Sequence, residues 1–200
     1  VRPADIELDA AARAHFVVHS PWGRAEVVLP VPGMHMVSNA LAALAVAGAV
    51  GVDIDAAAAA LASVSVSGMR MEVLTAPSGA TVVNDAYNAN PTSVVAALEA
   101  LAAIDADRRV AVLGPMAEVE DPARAHHEVA DRARDLGIEL VAVGTVRYGV
   151  EPVTDVVAAV GDLDQRTAVL IKASRSAGLE RVASSLLDSA GAPVSDGQPG

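Results

Sequence analysis

Four short apolar runs dominate the chain from residue 80 onwards: ATVVND (80–85), RRVAVLG (108–114), IELVAVG (138–144) and TAVLIKAS (167–174). Runs this short, apolar at nearly every position, are the pattern of strands buried on both faces. Between them lie stretches with helical periodicity. PTSVVAALEALAAI (91–104) has Asn90 placed to cap it and Pro91 at its first position. PARAHHEVADRARDLG (122–137) stops at Gly137. VTDVVAAV (153–160) is ambiguous, and GLERVASSLLDSA (178–190) reads as the last helix. Strand–helix–strand repetition requires parallel neighbours, because each crossover uses a helix. The predicted class is therefore α/β, with a mainly parallel sheet covered by helices on both faces. MEVLTA (71–76) supplies a further strand, joined to ATVVND around Ser78 and Gly79.

The first 70 residues have a different character. DIELDA, HFVVHS and AEVVLP read as antiparallel strands, with PWGR forming a hairpin at Gly23. A helix follows over 38–50, ended by Gly51, and a second over 54–63 with Asp53 as its cap. The change near 65–72 marks a boundary. The chain divides into residues 1–70, residues 71–190 and a flexible tail, 191–200. Residues 1–70 hold too little sheet for a complete α/β domain, so a piece of a longer protein is expected.

With one Trp, two Tyr and one Phe, the core must be built from Ala, Val, Leu and Ile. A net charge of −11 argues against nucleic acid or an anionic membrane as a bulk electrostatic partner. The absence of cysteine excludes disulfides and thiolate metal sites. The start of the chain lacks the basic-then-apolar order of a secretion signal. NALAALAVAGAVGV (39–52) is too short to span a bilayer comfortably. A cytoplasmic protein without membrane insertion is the expectation. Lys172 is the single lysine and has no glycine-rich loop before it, so the chain carries no Walker A phosphate loop.

Five polar clusters interrupt this apolar background. In NDAYNANPTS (84–93), Asp85 can accept two hydrogen bonds from vicinal hydroxyls, while Asn88 and Asn90 offer both donors and acceptors. The bland alternative, an Asx turn plus a helix cap, suffices for Asn90 alone. Gly33-x-His35-x-x-x-Asn39 puts an imidazole and an amide one helical turn apart, suited to a base edge or simply to solvent. Met69-Arg70-Met71-Glu72 suits a phosphate clamp or an interdomain ion pair. His126 and His127 are adjacent, so they lack the spacing of a zinc pair; at least one should face solvent. Lys172 and Arg175, in KASR at a strand end, suit a phosphate or carboxylate.

Taken together, NDAYNANPTS, the G-x-H-x-x-x-N-A-L-A-A stretch, R-M-E, VLGPMAEVED followed by HHEV, and IKASRSAGLERV resemble the Mur ligases over the chain up to about residue 190. DAYNANP points to the members that add D-alanyl-D-alanine. The resemblance implies a Rossmann-like C-terminal domain over 71–190 and the C-terminal part of a central ATPase domain over 1–70. It implies ATP-dependent amide formation in peptidoglycan precursor synthesis. The carboxylate of UDP-MurNAc-tripeptide becomes an acyl phosphate, which the amine of D-Ala-D-Ala then attacks. ATP and Mg2+ are the implied cofactors, with the metal ligands and phosphate loop expected upstream. By this resemblance His35 and Asn39 contact adenine, Arg70 the ATP phosphates and Asp85 the ribose. Asn88, Asn90, Thr92, Lys172 and Arg175 face substrate. The chain alone is expected to be inactive, and the protein monomeric.

Three positions depart from the family pattern: Met36 stands where an asparagine is usual, Pro115 where an acid is usual, and Ala173 where glycine is usual. Two other readings compete. One is a neighbouring ligase, either another Mur ligase or a folylpolyglutamate synthase-like enzyme. The other is a non-catalytic Rossmann-type binding module.

Overall fold

The computed structural model describes residues 1–64 and 68–189. Part of the predicted boundary near 65–72 and the tail 191–200 therefore lie outside the described residues.

The first unit is an antiparallel sheet of β1 (Arg2–Leu8), β2 (Arg13–Ser20) and β3 (Gly23–Pro32), in that order. Alternation decides its inner face. Ala14, Phe16 and Val18 of β2 and Ala25, Val27 and Leu29 of β3 point to one side and are buried. They pack on α1 (His35–Ala49), through Val37, Ala40 and Leu44, and on α2 (Ile54–Ala62), through Ile54, Ala57 and Ala58. Asp53 caps α2 as expected, accepting the N–H groups of Asp55 and Ala56. The helix expected from residue 38 starts three residues earlier, at His35, with no side-chain cap. Its onset is set instead by the turn at Gly33.

The second unit is a five-stranded sheet. The strands are β4 (Glu72–Thr75), β5 (Thr81–Asn84), β6 (Arg108–Leu113), β7 (Glu139–Ala142) and β8 (Thr167–Lys172), ordered β4-β5-β8-β6-β7. Only β4 is antiparallel to its neighbour; the other three pairings are parallel. Helices α3 (Pro91–Ala103) and α4 (Pro122–Asp135) cover one face, over Val83, Ala111, Leu113, Ala168 and Leu170. Helices α5 (Val156–Val160) and α6 (Glu180–Ser189) cover the other, over Val82, Val110, Val112, Val169 and Ile171. Successive strand residues thus serve opposite cores, which is why the strands read as continuous apolar runs. The ambiguous 153–160 stretch is α5, short but capped by Asp155, which accepts from Ala158 N–H.

The two units meet along α3. Ala12 joins the α3/α4 core, the Asp105 N–H donates to the Ala10 carbonyl at 2.9 Å, and Gly33 lies against Ala100. The start of α3 is a capping box: Asn90 accepts the Ser93 N–H at 2.8 Å, and the Ser93 hydroxyl accepts the Asn90 N–H at 3.1 Å. Asn90→Ala is expected to cost about 1 kcal/mol of stability. It should be read as a lower urea midpoint with unchanged slope; an unchanged midpoint would show that the cap is energetically idle.

Candidate functional site

After β5 and β6 the chain turns towards the α3/α4 face, whereas after β8 it turns towards the α5/α6 face. Because β8 lies between β5 and β6, a crevice opens at its carboxyl end. This is the switch point at which open α/β sheets bind ligands. Residues 84–90, 114–118 and 172–176 converge there.

The larger cleft, about 490 Å³, is lined from both units: His35, Met36 and Asn39 from α1, Arg70 and Met71 from the connection, and Asp85, Asn88 and Lys172 from the strand ends. Gly33 sets the entry to α1. Its φ is +109°, and a Cβ there would stand 2.6 Å from the His35 ring, so the imidazole occupies space that only glycine leaves. Burial holds the His35 pKa below its ordinary value. Asp85 and Glu99 oppose that shift, and Lys172 adds to it. Asn39, one turn on, points its amide at the Met36 sulfur, 3.5 Å away.

Asp85 and Lys172 form the floor. The Lys172 ammonium lies 2.6 Å from one Asp85 carboxylate oxygen and donates to the Asn88 carbonyl at 2.8 Å. Its side chain is 4% exposed. The other Asp85 oxygen accepts the Met71 N–H at 3.0 Å. Asp85 thus fixes both the lysine and the connection, leaving part of its acceptor capacity for a ligand. Lys172 is thus no solvated loop residue: its ammonium is buried at the end of β8.

Arg70 is exposed and, among the described residues, makes no ion pair. Its guanidinium lies 3.9 Å from the centroid of the Tyr87 ring. The neighbouring acid, Glu72, is turned away to accept from Met69 N–H and the Asn84 amide. Among the described residues the interdomain ion pair weighed for this segment is therefore absent. Met69 and Met71 flank Arg70 at φ +66° and +49°, a left-handed conformation uncommon for non-glycine residues. Tyr87 N–H and the Asp85 carboxylate hold them there.

Tyr87 and Asn88 form a ridge. On its other side is a smaller cleft, about 300 Å³, that includes Ala117, Glu118, Ser174, Arg175 and Ser176. Arg175 also approaches the Tyr87 ring, at 5.4 Å. A third hollow, about 480 Å³, continues the first one past His35, Asn39 and Asn90 to Thr92. Of the candidate residues, all but Thr92 and Arg175 line the large cleft, and those two line its neighbours. Asn90 spends its side-chain oxygen on the α3 cap.

Two roles beside the site, those of His126 and Ser174, escape the sequence reading. His127 is exposed, as expected of one of the pair, but His126 is fully buried. Its helical spacing carried the signal: 126, 129, 130 and 133 share the apolar stripe of α4. Ser174 is buried; its hydroxyl accepts the Ala117 N–H at 2.8 Å. The departures also resolve. Ala173 does not have a positive φ, so glycine's freedom is not required there, and its methyl fills the space over Gly114. Pro115 offers its carbonyl to Ser174 N–H. Among the described residues no group of three or more His, Asp or Glu side chains is placed to hold a metal, and no helix is long and apolar enough to cross a membrane.

The family model for the Mur ligase glutamate ligase domain matches residues 69–189. The UDP-N-acetylmuramoyl-tripeptide–D-alanyl-D-alanine ligase of Mycobacterium tuberculosis (strain ATCC 25618 / H37Rv) is 41% identical over 153 residues, covering 71% of this chain and 29% of the relative. That of Mycobacterium leprae (strain TN) is 38% identical over 221 residues, covering 91% and 43%. Among solved structures, MurF from Acinetobacter baumannii superposes with a TM-score of 0.80 at 27% identity, covering 93% of this chain and 44% of that one. The chain spans less than half the length of these relatives. With the match over 69–189 and the shared fold, the chain belongs to the Mur ligase family.

Proposed function

We propose that this chain forms the nucleotide-facing and acceptor-facing walls of an ATP-dependent ligase that joins D-Ala-D-Ala to UDP-MurNAc-tripeptide through an acyl phosphate. The observation that carries this reading is the convergence of His35, Asn39, Arg70 and Asp85 on one cleft of about 490 Å³, within the usual size of small-molecule sites. In it His35 and Asn39 meet the base, Asp85 the ribose hydroxyls and Arg70 the phosphates. The names of the similar ligases supply the substrate pair. Residues 1–70 then belong to the ATP-binding domain and 71–190 to the C-terminal domain.

The smaller cleft is our site for the dipeptide. Glu118 and Arg175 line it together, giving opposite charges for a zwitterion's ammonium and carboxylate. Asn88, Asn90 and Thr92 extend the substrate-facing wall. The lone lysine is tied into the floor, so charge on the β- and γ-phosphates must be met by Arg70, by Mg2+ carried with the nucleotide and by the phosphate loop expected upstream. In this reading the protein acts in the cytoplasm as a monomer, and the 200-residue chain alone forms no amide bond.

The test uses Arg70, which is exposed, so its removal is expected to leave the fold intact. Arg70→Ala should weaken ATP binding to the chain about tenfold, about 1.4 kcal/mol, and leave AMP binding nearly unchanged, by calorimetry or displacement of a fluorescent nucleotide. Equal losses for both nucleotides, or none for either, would contradict the phosphate role.

A further inference from the structure

The loop that walls the smaller cleft, 114–118, is held at Ala117 by Ser174 inside the cleft and at Gly114 and Met116 by groups outside it. His126 of α4 accepts the Met116 N–H on Nε2 at 3.1 Å. Its other ring nitrogen faces the Pro122 carbonyl, so Nδ1 carries the proton and the ring is neutral. The ring packs against Tyr148, with centroids 4.7 Å apart, and the Tyr148 hydroxyl donates to the Gly114 carbonyl at 2.8 Å. His126 and Tyr148 are buried, and neither is among the lining residues of the clefts described above. The loop's wall residues, Ala117 and Glu118, follow directly on the anchored Met116.

We propose that His126 is a positioning residue for the smaller cleft, holding Met116 so that Ala117 and Glu118 face Arg175. Its functional meaning rests on the acceptor reading given above; the anchoring itself does not. A buried N–H that loses its acceptor is costly, and protonation of His126 would turn Nε2 from acceptor to donor against Met116 N–H. Burial holds the imidazole pKa below its ordinary 6.5, opposed by the Pro122 carbonyl and assisted by Arg147 and His127. Arg147 and Tyr148 face it from the loop after β7, and His127 lies beside it on α4. Burial pushes the Tyr148 phenol up, so it remains a donor throughout. With the folded value depressed, the anchor's contribution is complete above pH 6.5 and is lost as pH falls through the lower folded value.

The test is amide hydrogen exchange by NMR on the whole chain between pH 7 and 4. Protection at Met116 should fall at least about tenfold through one titration step, while β6 and β8 stay protected. His126→Gln retains an acceptor but cannot titrate, so it should abolish the step; His126→Leu should show the loss at every pH. Flat wild-type protection, or a step that persists in His126→Gln, would overturn the anchor. The wild-type series decides the matter even if both variants fail to fold. In the full-length ligase, His126→Leu should raise KM for D-Ala-D-Ala about fivefold more than KM for ATP. Lost protection without that split would keep the anchor and overturn the acceptor reading.

Discussion

Replacing Lys172 by methionine is expected to destabilise the fold by about 3–5 kcal/mol. Methionine nearly matches the lysine stem in length, so the change removes the charge and its hydrogen bonds while keeping most of the packing. Asp85, 13% exposed, would be left with a carboxylate inside the floor and only the Met71 N–H for company. The Asn88 carbonyl would lose its donor as well. Against a typical total of about 5–15 kcal/mol, such a loss is a large fraction of stability. Urea denaturation of the wild type and variant reads it directly. The double variant Asp85→Asn with Lys172→Met should recover part of the loss, because no unpaired charge remains; a cycle without coupling, or a loss below about 1 kcal/mol, would show that the pair is not the floor's support.

Gly114→Ala is the second large effect. A Cβ on Gly114 would lie 2.6 Å from the Ala173 Cβ and 3.0 Å from a Leu179 methyl. Gly114 does not have a positive φ, so the expected cost is steric alone, about 1–3 kcal/mol. Removing the opposing methyl in Gly114→Ala with Ala173→Gly should restore more than half of it. The two positions would then be exchangeable, with one methyl shared between them. Thermal melts of the four chains test this; a double variant no more stable than Gly114→Ala would place the strain elsewhere.

Much of this was legible in the residues. The β5, β6, β7 and β8 runs show themselves because strands buried on both faces need apolar side chains at every position. The α3 start shows itself through Asn90 and Pro91, whose roles are local. What could not be read is set by non-local packing. Lys172 and Asp85 are 87 positions apart in sequence, and only the β5–β8 neighbourhood turns them into a pair. The strand order itself, with β8 inserted between β5 and β6, has no local signature. Two identical neighbours, His126 and His127, part company because only one falls on the apolar stripe of α4. Tyr87 shows the same limit: its place in the polar loop was visible, but not the two guanidinium groups that flank it.

The cores are lined largely by alanine and valine: Ala97, Ala100, Ala111, Ala130, Ala133 and Ala168 on one face of the large sheet, Val82, Val110, Val112 and Val169 on the other. Alanine surrenders no rotamer freedom on burial, whereas long side chains surrender up to about 2 kcal/mol each. Folding here orders backbone far more than side chains. The same economy removes slack. A methyl cannot rotate aside for an intruding atom, so an enlarged neighbour has to displace whole helices or strands. The loops that line the clefts hang from those helices and strands, so a single added carbon deep in this core would be felt at the mouth of the clefts.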